Sequence, residues 1–395
     1  MLFVLADDFS GAAEIGGIGH RYGLRTEIQL RLDTRSTADL VVLDTDTRAL
    51  SENDATKRIF DIATALKKLE EPVRLFKKID SVMRGHLIPE LNVMQDCFNF
   101  RRIFLMPANP GRGRKIIKGE YFISGVSLRD TVFATDPDFP ANSSHIAERI
   151  GSYTSTLPHV HVTASAAFPS SSIITGDIES KVDLKKYVAG TDENDLCCGA
   201  AELFESYLEH LGFSIQAENS PDAELANAEF TLIINGSTVK NQDEYEWYRR
   251  LNIAQLSLPG NFNGVEYQWS DESAMEWFRK VLNSLHTRKV AVVTIDHPVQ
   301  HNKILSQKFL RYFVELMDYI TRHVPLNRIH FYLTGGATAS ALIRHYTETK
   351  LLVKREITPG AVSLVMNRNE KTQACFTVKP GSYAWPSKLL ESFSI

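Results

Sequence analysis

Two adjacent carboxylates near the start of the chain, Asp7 and Asp8, are the first residues whose type and spacing suggest chemistry. They follow the apolar run 2–6 and precede the small-residue segment 10–13. An apolar run, a polar break and a helix start are typical of the first strand–loop–helix of an open α/β sheet, where ligands bind at the carboxyl ends of the strands. Two carboxylates at this point favour a functional site, although a single Asp here is more often only a helix N-cap.

A second charged group lies in the segment KKIDSVMRG, residues 77–85. Alternation along a strand points Lys78 and Asp80 to one side. An Arg fork holds a carboxylate in two hydrogen bonds and Asp accepts from sugar hydroxyls, so this set suits a small polyhydroxylated acid. We expect Lys77 on a solvated edge, and the residues leave open whether Arg84 contacts a ligand or pairs with Asp80.

The second half of the chain contains two loops of similar design, NGST after the run FTLIIN and TGGAT after IHFYL. Glycines there let backbone N–H groups approach an anion, and the positive end of the following helix dipole adds to the attraction. The hydroxyls of Ser237, Thr238 and Thr338 can donate as well. Neither loop is a Walker or GxGxxG sequence, and each alone is compatible with a plain tight turn. Together they predict a site for the phosphates of a nucleotide.

The apolar runs that position these residues are separated by helical patterns, which indicates βαβ units and a mostly parallel sheet. The pattern stops in the polar segment 216–227 and then begins again. We therefore predict two α/β domains with largely parallel sheets and an interdomain cleft, at residues 1–215 and 228–395. Residues 121–144 are expected to form a loop-rich excursion over the sheet, and residues 194–212 a small-residue entry followed by an amphipathic helix.

The composition is that of an ordinary globular protein, with a net charge of −4, a pI near 6.3 and 43% apolar residues. No basic excess points to nucleic acid, and no apolar run has the length of about 20 residues that a membrane crossing needs. The four cysteines contain no CxxC spacing, which favours a reducing compartment. We predict a cytoplasmic protein with small-molecule partners; the residues leave a homo-oligomer open.

A nucleotide-phosphate half together with a hydroxy-acid half suggests phosphoryl transfer. That reaction needs a base to orient or deprotonate the acceptor hydroxyl, positive charges on the moving phosphoryl group and usually Mg²⁺. Asp7 or Asp8 is the candidate base, and both remain open. No metal ligands can be assigned from the spacing of the histidines and carboxylates.

Seven motifs carry a family resemblance: ADDFSGAAEIG, FKKIDSVMRG, PANPGRGR, TVFATDPDFP, INGST, TGGAT and KPGSYA. In this order they resemble the four-carbon acid sugar kinase family, which includes 3-oxo-tetronate, threonate and erythronate kinases. The resemblance implies an N-terminal acid-sugar-binding domain and a C-terminal nucleotide-binding domain. It also implies ATP- and Mg²⁺-dependent phosphorylation of the terminal hydroxyl of a four-carbon acid sugar.

The same resemblance implies the binding residues by motif position. Acid-sugar contacts are expected near Asp7, Asp8, Lys78, Asp80, Ser81 and Arg84. ATP contacts are expected at Ser237, Gly335, Gly336, Ala337, Thr338 and Gly381. The loop GGATASA departs from the family pattern GGxTSG, and this departure is the basis of an alternative function, a non-catalytic two-domain sensor of a sugar acid or nucleotide.

Overall fold

The computed structural model describes residues 1–69, 73–151, 155–216, 228–237, 242–259, 261–262, 267–268, 271–295, 303–347, 349–369, 372–381, 383–386 and 389. The chain divides into two units, Met1–Gln216 and Ala217–Ile395. Both combine helices with mostly parallel strands, which confirms the predicted α/β class. Residues 217–227 of the predicted linker lie outside the described residues.

The first unit alternates strands and helices along most of its length. Its strands are β1 (Leu2–Ala6), β2 (Thr26–Gln29), β3 (Leu40–Asp44), β4 (Arg74–Lys78), β5 (Arg102–Met106), β6 (Arg114–Ile117), β7 (Glu120–Ile123), β8 (Val126–Ser127), β9 (His159–Val162), β10 (Ser172–Gly176) and β11 (Asp195–Gly199). Its helices are α1 (Phe9–Arg21), α2 (Glu52–Lys67), α3 (Leu87–Phe98), α4 (Ile146–Gly151), α5 (Lys181–Ala189) and α6 (Ala201–His210).

Eight of the described strands of this unit are neighbours in a sheet in the order β2-β3-β1-β4-β11-β5-β10-β9, and they pair in parallel. Strand β1 lies between β3 and β4, and all of its residues are buried. A continuous apolar run such as LFVLA is what a strand covered on both faces requires. The carboxyl ends of β1, β3 and β4 therefore meet at the same edge of the sheet.

Two segments of this unit differ from their predictions. Residues 194–212 begin with strand β11, which lies inside the sheet between β4 and β5, and only their second part is the predicted helix, α6. The excursion 121–144 is not purely loop, since β6, β7 and β8 form a small antiparallel sheet at its start. Two short 3₁₀ turns follow, Leu128–Asp130 and Val132–Thr135.

The second unit resumes the alternation of strands and helices. Its strands are β12 (Phe230–Asn235), β13 (Gln255–Ser257), β14 (Asn261–Phe262), β15 (Tyr267–Gln268), β16 (Val290–Thr294), β17 (Ile329–Thr334), β18 (Lys350–Thr358), β19 (Ala361–Asn369) and β20 (Thr372–Lys379). Its helices are α7 (Gln242–Arg250), α8 (Asp271–Arg288), α9 (Lys303–His323) and α10 (Gly336–Tyr346).

The described strands of this unit form a mixed sheet in the order β13-β16-β12-β17-β20-β19-β18. In that order, the first five strands (β13, β16, β12, β17 and β20) pair in parallel. Strand β19 pairs antiparallel with both β20 and β18. Strands β18, β19 and β20 thus form an antiparallel meander at one side of this sheet. None of the helices in the described part of the chain has both the length and the apolar composition that a membrane crossing requires.

Candidate functional site

Three loops at the carboxyl edge of the first sheet bring charged side chains together. Asp7 and Asp8 follow β1, Arg48 follows β3, and Asp80 and Arg84 follow β4. Because β1 is flanked by β3 and β4, these loops are neighbours although they are far apart in the chain. The structure thus brings four of the residues predicted to contact the acid sugar into one cluster.

Arg48 is the centre of this cluster. Its guanidinium donates two hydrogen bonds to Asp7, at 2.8 and 3.0 Å, and a third to Asp8 at 2.8 Å. It also lies 4.0 Å from Asp80. Arg48 is not among the residues predicted from the sequence to form the site. Its position shortly after β3, a buried strand that ends in a carboxylate, could have indicated it.

Asp8 fulfils the capping role that was the simpler interpretation of the opening motif. It is the N-cap of α1 and accepts a hydrogen bond from the Gly11 N–H at 2.9 Å. The hydroxyl of Ser10 donates to the same carboxylate at 2.6 Å. Because Asp8 also binds Arg48, its side chain both starts the helix and holds the cluster, and the cap alone does not account for its position.

Asp80 and Arg84 form a pair, with guanidinium-to-carboxylate hydrogen bonds of 3.0 and 2.9 Å. Asp80 also accepts from the backbone N–H of Val82 and of Arg84. Arg84 reaches Asp136 at 3.4 Å, in the segment that follows the small antiparallel sheet. The structural pair that the sequence left open is therefore present in the described structure.

The remaining predicted residues lie around this cluster. Lys78 is buried, donates to the Ile79 carbonyl at 3.0 Å and lies 3.5 Å from Glu14 on α1. Ser81 is buried and its hydroxyl accepts a hydrogen bond from Arg114. Two further cations therefore lie beside the cluster, Lys78 from β4 and Arg114 from β6 of the small antiparallel sheet.

The prediction for Lys77 is wrong. Its side chain is not at a solvated edge but is fully buried, with Nζ 2.6 Å from Oε2 of Glu90 on α3. Alternation along a strand gives the side to which a residue points, but it does not show which helix covers that side. Here α3 covers it and supplies the carboxylate that compensates the lysine.

The three carboxylates of the cluster differ in their affinity for a proton. Burial raises the pKa of Asp7, and the positive charge of Arg48 offsets this only in part. Burial acts in the same sense on Asp8, but Arg48 and the hydrogen bond from Ser10 outweigh it and lower the pKa. The pKa of Asp80 is well below its usual range because Arg84 and Arg48 overcome the effect of burial. Asp7 is therefore the carboxylate of the three that most readily takes up a proton.

A cavity of about 310 Å³ adjoins the cluster through Gly85. Its lining includes Ile88, Phe139 and Arg149 together with the carboxylates of Asp138 and Glu148. Gly85 has φ +95°, and a Cβ built on it would lie 3.3 Å from Oδ2 of Asp7. Gly85 therefore lies between the Asp7 carboxylate and this cavity.

In the second unit, three neighbouring strands end in register at Asn235, Thr334 and Lys379. The loops after these strands are the ones predicted to bind a nucleotide. The N–H of Gly236 donates to the Thr334 carbonyl at 3.1 Å, and the N–H of Gly335 donates to the Lys379 carbonyl at 2.9 Å. Each loop is thus tied by its first residue to the end of the neighbouring strand.

The glycines of these loops allow very close contact between them. A Cβ on Gly381 would lie 2.6 Å from Oγ of Ser237, and a Cβ on Gly236 would overlap the side chain of Thr338. Gly335 has φ +100°, a conformation that favours glycine, and it is the N-cap of α10. The predicted residues Ser237, Gly335 to Thr338 and Gly381 are therefore brought together; Thr238 lies outside the described residues.

A cavity of about 280 Å³ opens beside these loops. The two glycine loops form one wall of it and the first turn of α10 points its N–H groups toward it. The opposite wall is largely apolar and consists mainly of Leu305, Phe309 and Phe313 from α9 with Ile295. A polar, backbone-lined end next to an apolar wall suits a nucleotide, whose phosphates need donors and whose base needs apolar contact.

Lys379 fixes the loop that contains Gly381. Its buried ammonium lies 3.2 Å from Glu244 and donates to the Tyr383 carbonyl at 2.5 Å. The backbone N–H of Trp385 donates to the same Glu244 carboxylate at 2.7 Å. Within the described ranges, no group of three or more His, Cys, Asp or Glu side chains has an arrangement that could hold a metal ion.

Comparison with known proteins identifies the class to which the chain belongs. Residues 2–206 match the family model described as the sugar-binding N-terminal domain, and this is more than half of the 395 residues. The chain is a member of this family. The resemblance predicted from the motifs is thereby confirmed.

Individual relatives carry more specific names. A D-threonate kinase of Salmonella typhimurium is 31% identical over 149 residues, which are 37% of this chain and 35% of that protein, so the alignment spans only about a third of the relative. A 3-oxo-tetronate kinase of Haemophilus influenzae is 23% identical over 387 residues, 91% of this chain and 92% of that protein. A crystal structure of a Haemophilus influenzae protein superposes with a TM-score of 0.71 at 18% identity, covering 100% of both chains, and so has the same fold.

Proposed function

We propose that the chain is an ATP-dependent kinase that phosphorylates the terminal hydroxyl of a four-carbon acid sugar such as a threonate, erythronate or 3-oxo-tetronate. The observation that carries the proposal is the presence of two sites of complementary chemistry. One is a carboxylate–arginine cluster beside a cavity, and the other is a set of glycine loops at a helix N-terminus. The names of the relatives support the same reaction and the same class of acceptor.

The proposed acid-sugar site is the 310 Å³ cavity together with the adjoining cluster. Its volume lies at the lower end of the range of about 300–1,000 Å³ typical of small-molecule sites, which suits a four-carbon acid. Arg149 in the lining would bind the carboxylate of the acid, next to the acidic side chains of Asp138 and Glu148. Asp7 lies beside Gly85, which lines the same cavity, and would accept the proton of the hydroxyl. The binding roles of Lys78, Asp80, Ser81 and Arg84 stay part of this proposal.

Asp7 is the proposed base, and Asp8 the residue that positions it. The raised pKa of Asp7 makes it the better proton acceptor, while Asp8 stays ionised and fixes Arg48 and the start of α1. Arg48 holds the Asp7 carboxylate in a single orientation through two hydrogen bonds. A fixed carboxylate beside the acceptor hydroxyl is what phosphoryl transfer requires of the protein on this side.

The proposed nucleotide site is the 280 Å³ cavity. The backbone N–H groups at Gly335 to Thr338 would bind the phosphates, and Ser237 and Gly381 would line the same end. The apolar side chains of α9 would contact the base. Mg²⁺ would enter with ATP, coordinated mainly by phosphate oxygens and water, and would offset charge on the transferred group. We expect the protein to act in the cytoplasm.

The test is ADP release in a coupled assay with Mg-ATP and a panel of D- and L-threonate, D- and L-erythronate and 3-oxo-tetronates. Four-carbon sugars without a carboxylate serve as controls. We expect turnover with at least one acid and none with the controls. Stabilisation by ATP or by an acid without any ADP release across the panel would contradict the kinase proposal and favour a sensor.

A further inference from the structure

A buried ion pair between Lys77 on β4 and Glu90 on α3 lies close to the charged cluster of Asp7, Asp8 and Arg48. The reaction proposed above gives this pair no role. Lys77 is 0% exposed and Glu90 is 2% exposed, and their charged atoms are 2.6 Å apart. Burying two charges is costly, and replacing such a pair by neutral side chains of similar size is often neutral or even stabilising. Stability alone therefore does not explain the pair, and its position points to another role.

Lys77 lies on the same side of the sheet as Asp7. Lys77 pairs in register with Leu5 of β1. Asp7 follows Leu5 by two residues, directly after the end of β1. Because side chains alternate, Leu5, Asp7 and Lys77 share one side, which α3 covers with Glu90. On its other flank Lys77 pairs with Cys198 of β11.

The charged groups that act on Asp7 come from three elements. Arg48 faces it from the loop after β3, Asp8 from the start of α1 and Lys77 from β4. Lys77 in turn faces Glu90 from α3 and the thiol of Cys198 from β11. Arg48 divides its charge between Asp7 and Asp8. Lys77 is the cation on the buried side of Asp7, and the carboxylate of Glu90 offsets the charge of Lys77.

We propose that Lys77 and Glu90 are positioning residues that set the charge state of Asp7, an inference that rests on the proposed kinase function. The ammonium of Lys77 favours the ionised form of Asp7, and the carboxylate of Glu90 weakens that effect. Neither side chain contacts a ligand; both act through Asp7. The pair therefore determines the pH at which the enzyme becomes active.

The test compares two variants whose effects have opposite signs. In Glu90→Gln the charge of Lys77 is no longer offset, so Asp7 stays ionised to lower pH. The acid limb of kcat/KM, which reports the free enzyme's base, should move down by about one pH unit. In the double variant Lys77→Met/Glu90→Gln the cation is gone, so the midpoint of the acid limb should move up by about half a pH unit or more. At a fixed pH below that midpoint, kcat/KM should then be at least about threefold lower than in the wild type.

A purely structural role predicts something else, namely a lower melting temperature in Glu90→Gln, where one charge is left unpaired, and acid limbs that stay in place or move in the same direction in both variants. The matched control is the pair Arg102 and Asp195, whose side chains are 11% and 0% exposed and whose charged atoms lie 2.5 Å apart at the amino end of the same sheet. Arg102→Gln/Asp195→Asn removes a charge pair of the same kind far from Asp7 and should leave the acid limb where it is. Limbs that move in the same direction in the two test variants would overturn the inference.

Failure of the kinase proposal itself is recognised separately, because the wild type would then release no ADP with any acid. The titration of Asp7 can still be followed by infrared spectroscopy of the protonated carboxyl band, assigned by its absence in Asp7→Asn. The band should titrate at lower pH in Glu90→Gln and at higher pH in the double variant. Unchanged titration in both would overturn the inference whatever the activity.

Discussion

The two proposed sites of this protein are built from different materials. The site in the first unit consists of charged side chains from three loops, held together by Arg48. The site in the second unit consists mainly of backbone at glycines, packed so closely that a Cβ on Gly236 or Gly381 has no room. A hydroxyl acceptor needs a group that takes a proton, whereas phosphates need N–H donors, which the backbone itself supplies.

This difference predicts how each site fails. The first site should be sensitive to the removal of a functional group, since each carboxylate has a distinct electrostatic setting. The second should be sensitive to the addition of atoms and rather insensitive to the loss of a hydroxyl. The predictions that follow test this contrast, from the largest expected effect to the smallest.

The largest effect is expected for Asp7→Asn, which removes the proposed base and keeps its shape. We expect kcat to fall by about 10²- to 10⁴-fold, the usual contribution of general base catalysis. The matched variant Asp8→Asn keeps a good N-cap and should cost only about tenfold. Steady-state kinetics at saturating ATP measures both, and a larger loss for Asp8 than for Asp7 would exchange their assigned roles.

Addition of a side chain at Gly381 should produce the next largest effect, on the nucleotide. In Gly381→Ala the new Cβ would press on the Ser237 side chain at 2.6 Å, so the loops must move apart. We expect the KM for ATP to rise about tenfold or more, equivalent to about 1.4 kcal/mol, with the KM for the acid unchanged. Gly151→Ala, where a Cβ meets nothing within 4 Å, is the control and should change neither constant. An unaltered affinity for ATP in Gly381→Ala would remove this loop from the nucleotide site.

A third prediction concerns the stability of the charged cluster as a function of pH. The folded-state pKa of Asp80 is below its unfolded value, so its stabilising contribution is present at neutral pH and is lost as the pH falls through the folded pKa. Asp80→Asn should lower the free energy of unfolding by about 1–3 kcal/mol at pH 7 and make it less dependent on pH between 5 and 3. Urea unfolding at several pH values measures this.

The control for the pH prediction is Asp61→Asn, at an exposed position on α2. It should change the unfolding free energy by less than about 0.5 kcal/mol. A pH dependence in Asp80→Asn as steep as that of the wild type would show that the Asp80–Arg84 pair does not stabilise the fold.

The smallest effect is expected for Ser237→Ala. If the backbone supplies most of the donors to the phosphates, loss of this hydroxyl should raise the KM for ATP by no more than about threefold, in keeping with a single neutral hydrogen bond. Nucleotide titration by calorimetry would check the same number without turnover. A loss of a hundredfold would contradict the contrast between the two units, because a side chain would then dominate the second site as well.

Much of the fold could be predicted because its central strands are buried on both faces. The runs LFVLA and FTLIIN are continuous and apolar for that reason, and both are strands. Strand β11 could not be recognised in the same way, since DLCCG contains few large apolar residues. Its place inside the sheet depends on pairing with β4 and β5, which are far away in the chain.

Individual residues of the candidate site could be predicted from the sequence, but the contacts between them could not. The carboxylates could be identified because they directly follow apolar strands, and the glycine loops because their motifs are local. Arg48 and Glu90 were missed, since their importance comes from contacts across the sheet and with a covering helix. Local sequence patterns give the position of a residue along a strand, but partners 40 or 41 residues away have no local signature.

The long reach of Arg48 also has a consequence for folding kinetics. Its partners Asp7 and Asp8 are 41 and 40 residues away, and they come together only after β1 and β3 have paired in register. Closing the intervening chain loses conformational entropy before these contacts can form. Substitution of Arg48 should therefore accelerate unfolding more than it slows refolding. The charged cluster around Arg48 is therefore expected to lengthen the lifetime of a folded molecule rather than to speed its formation.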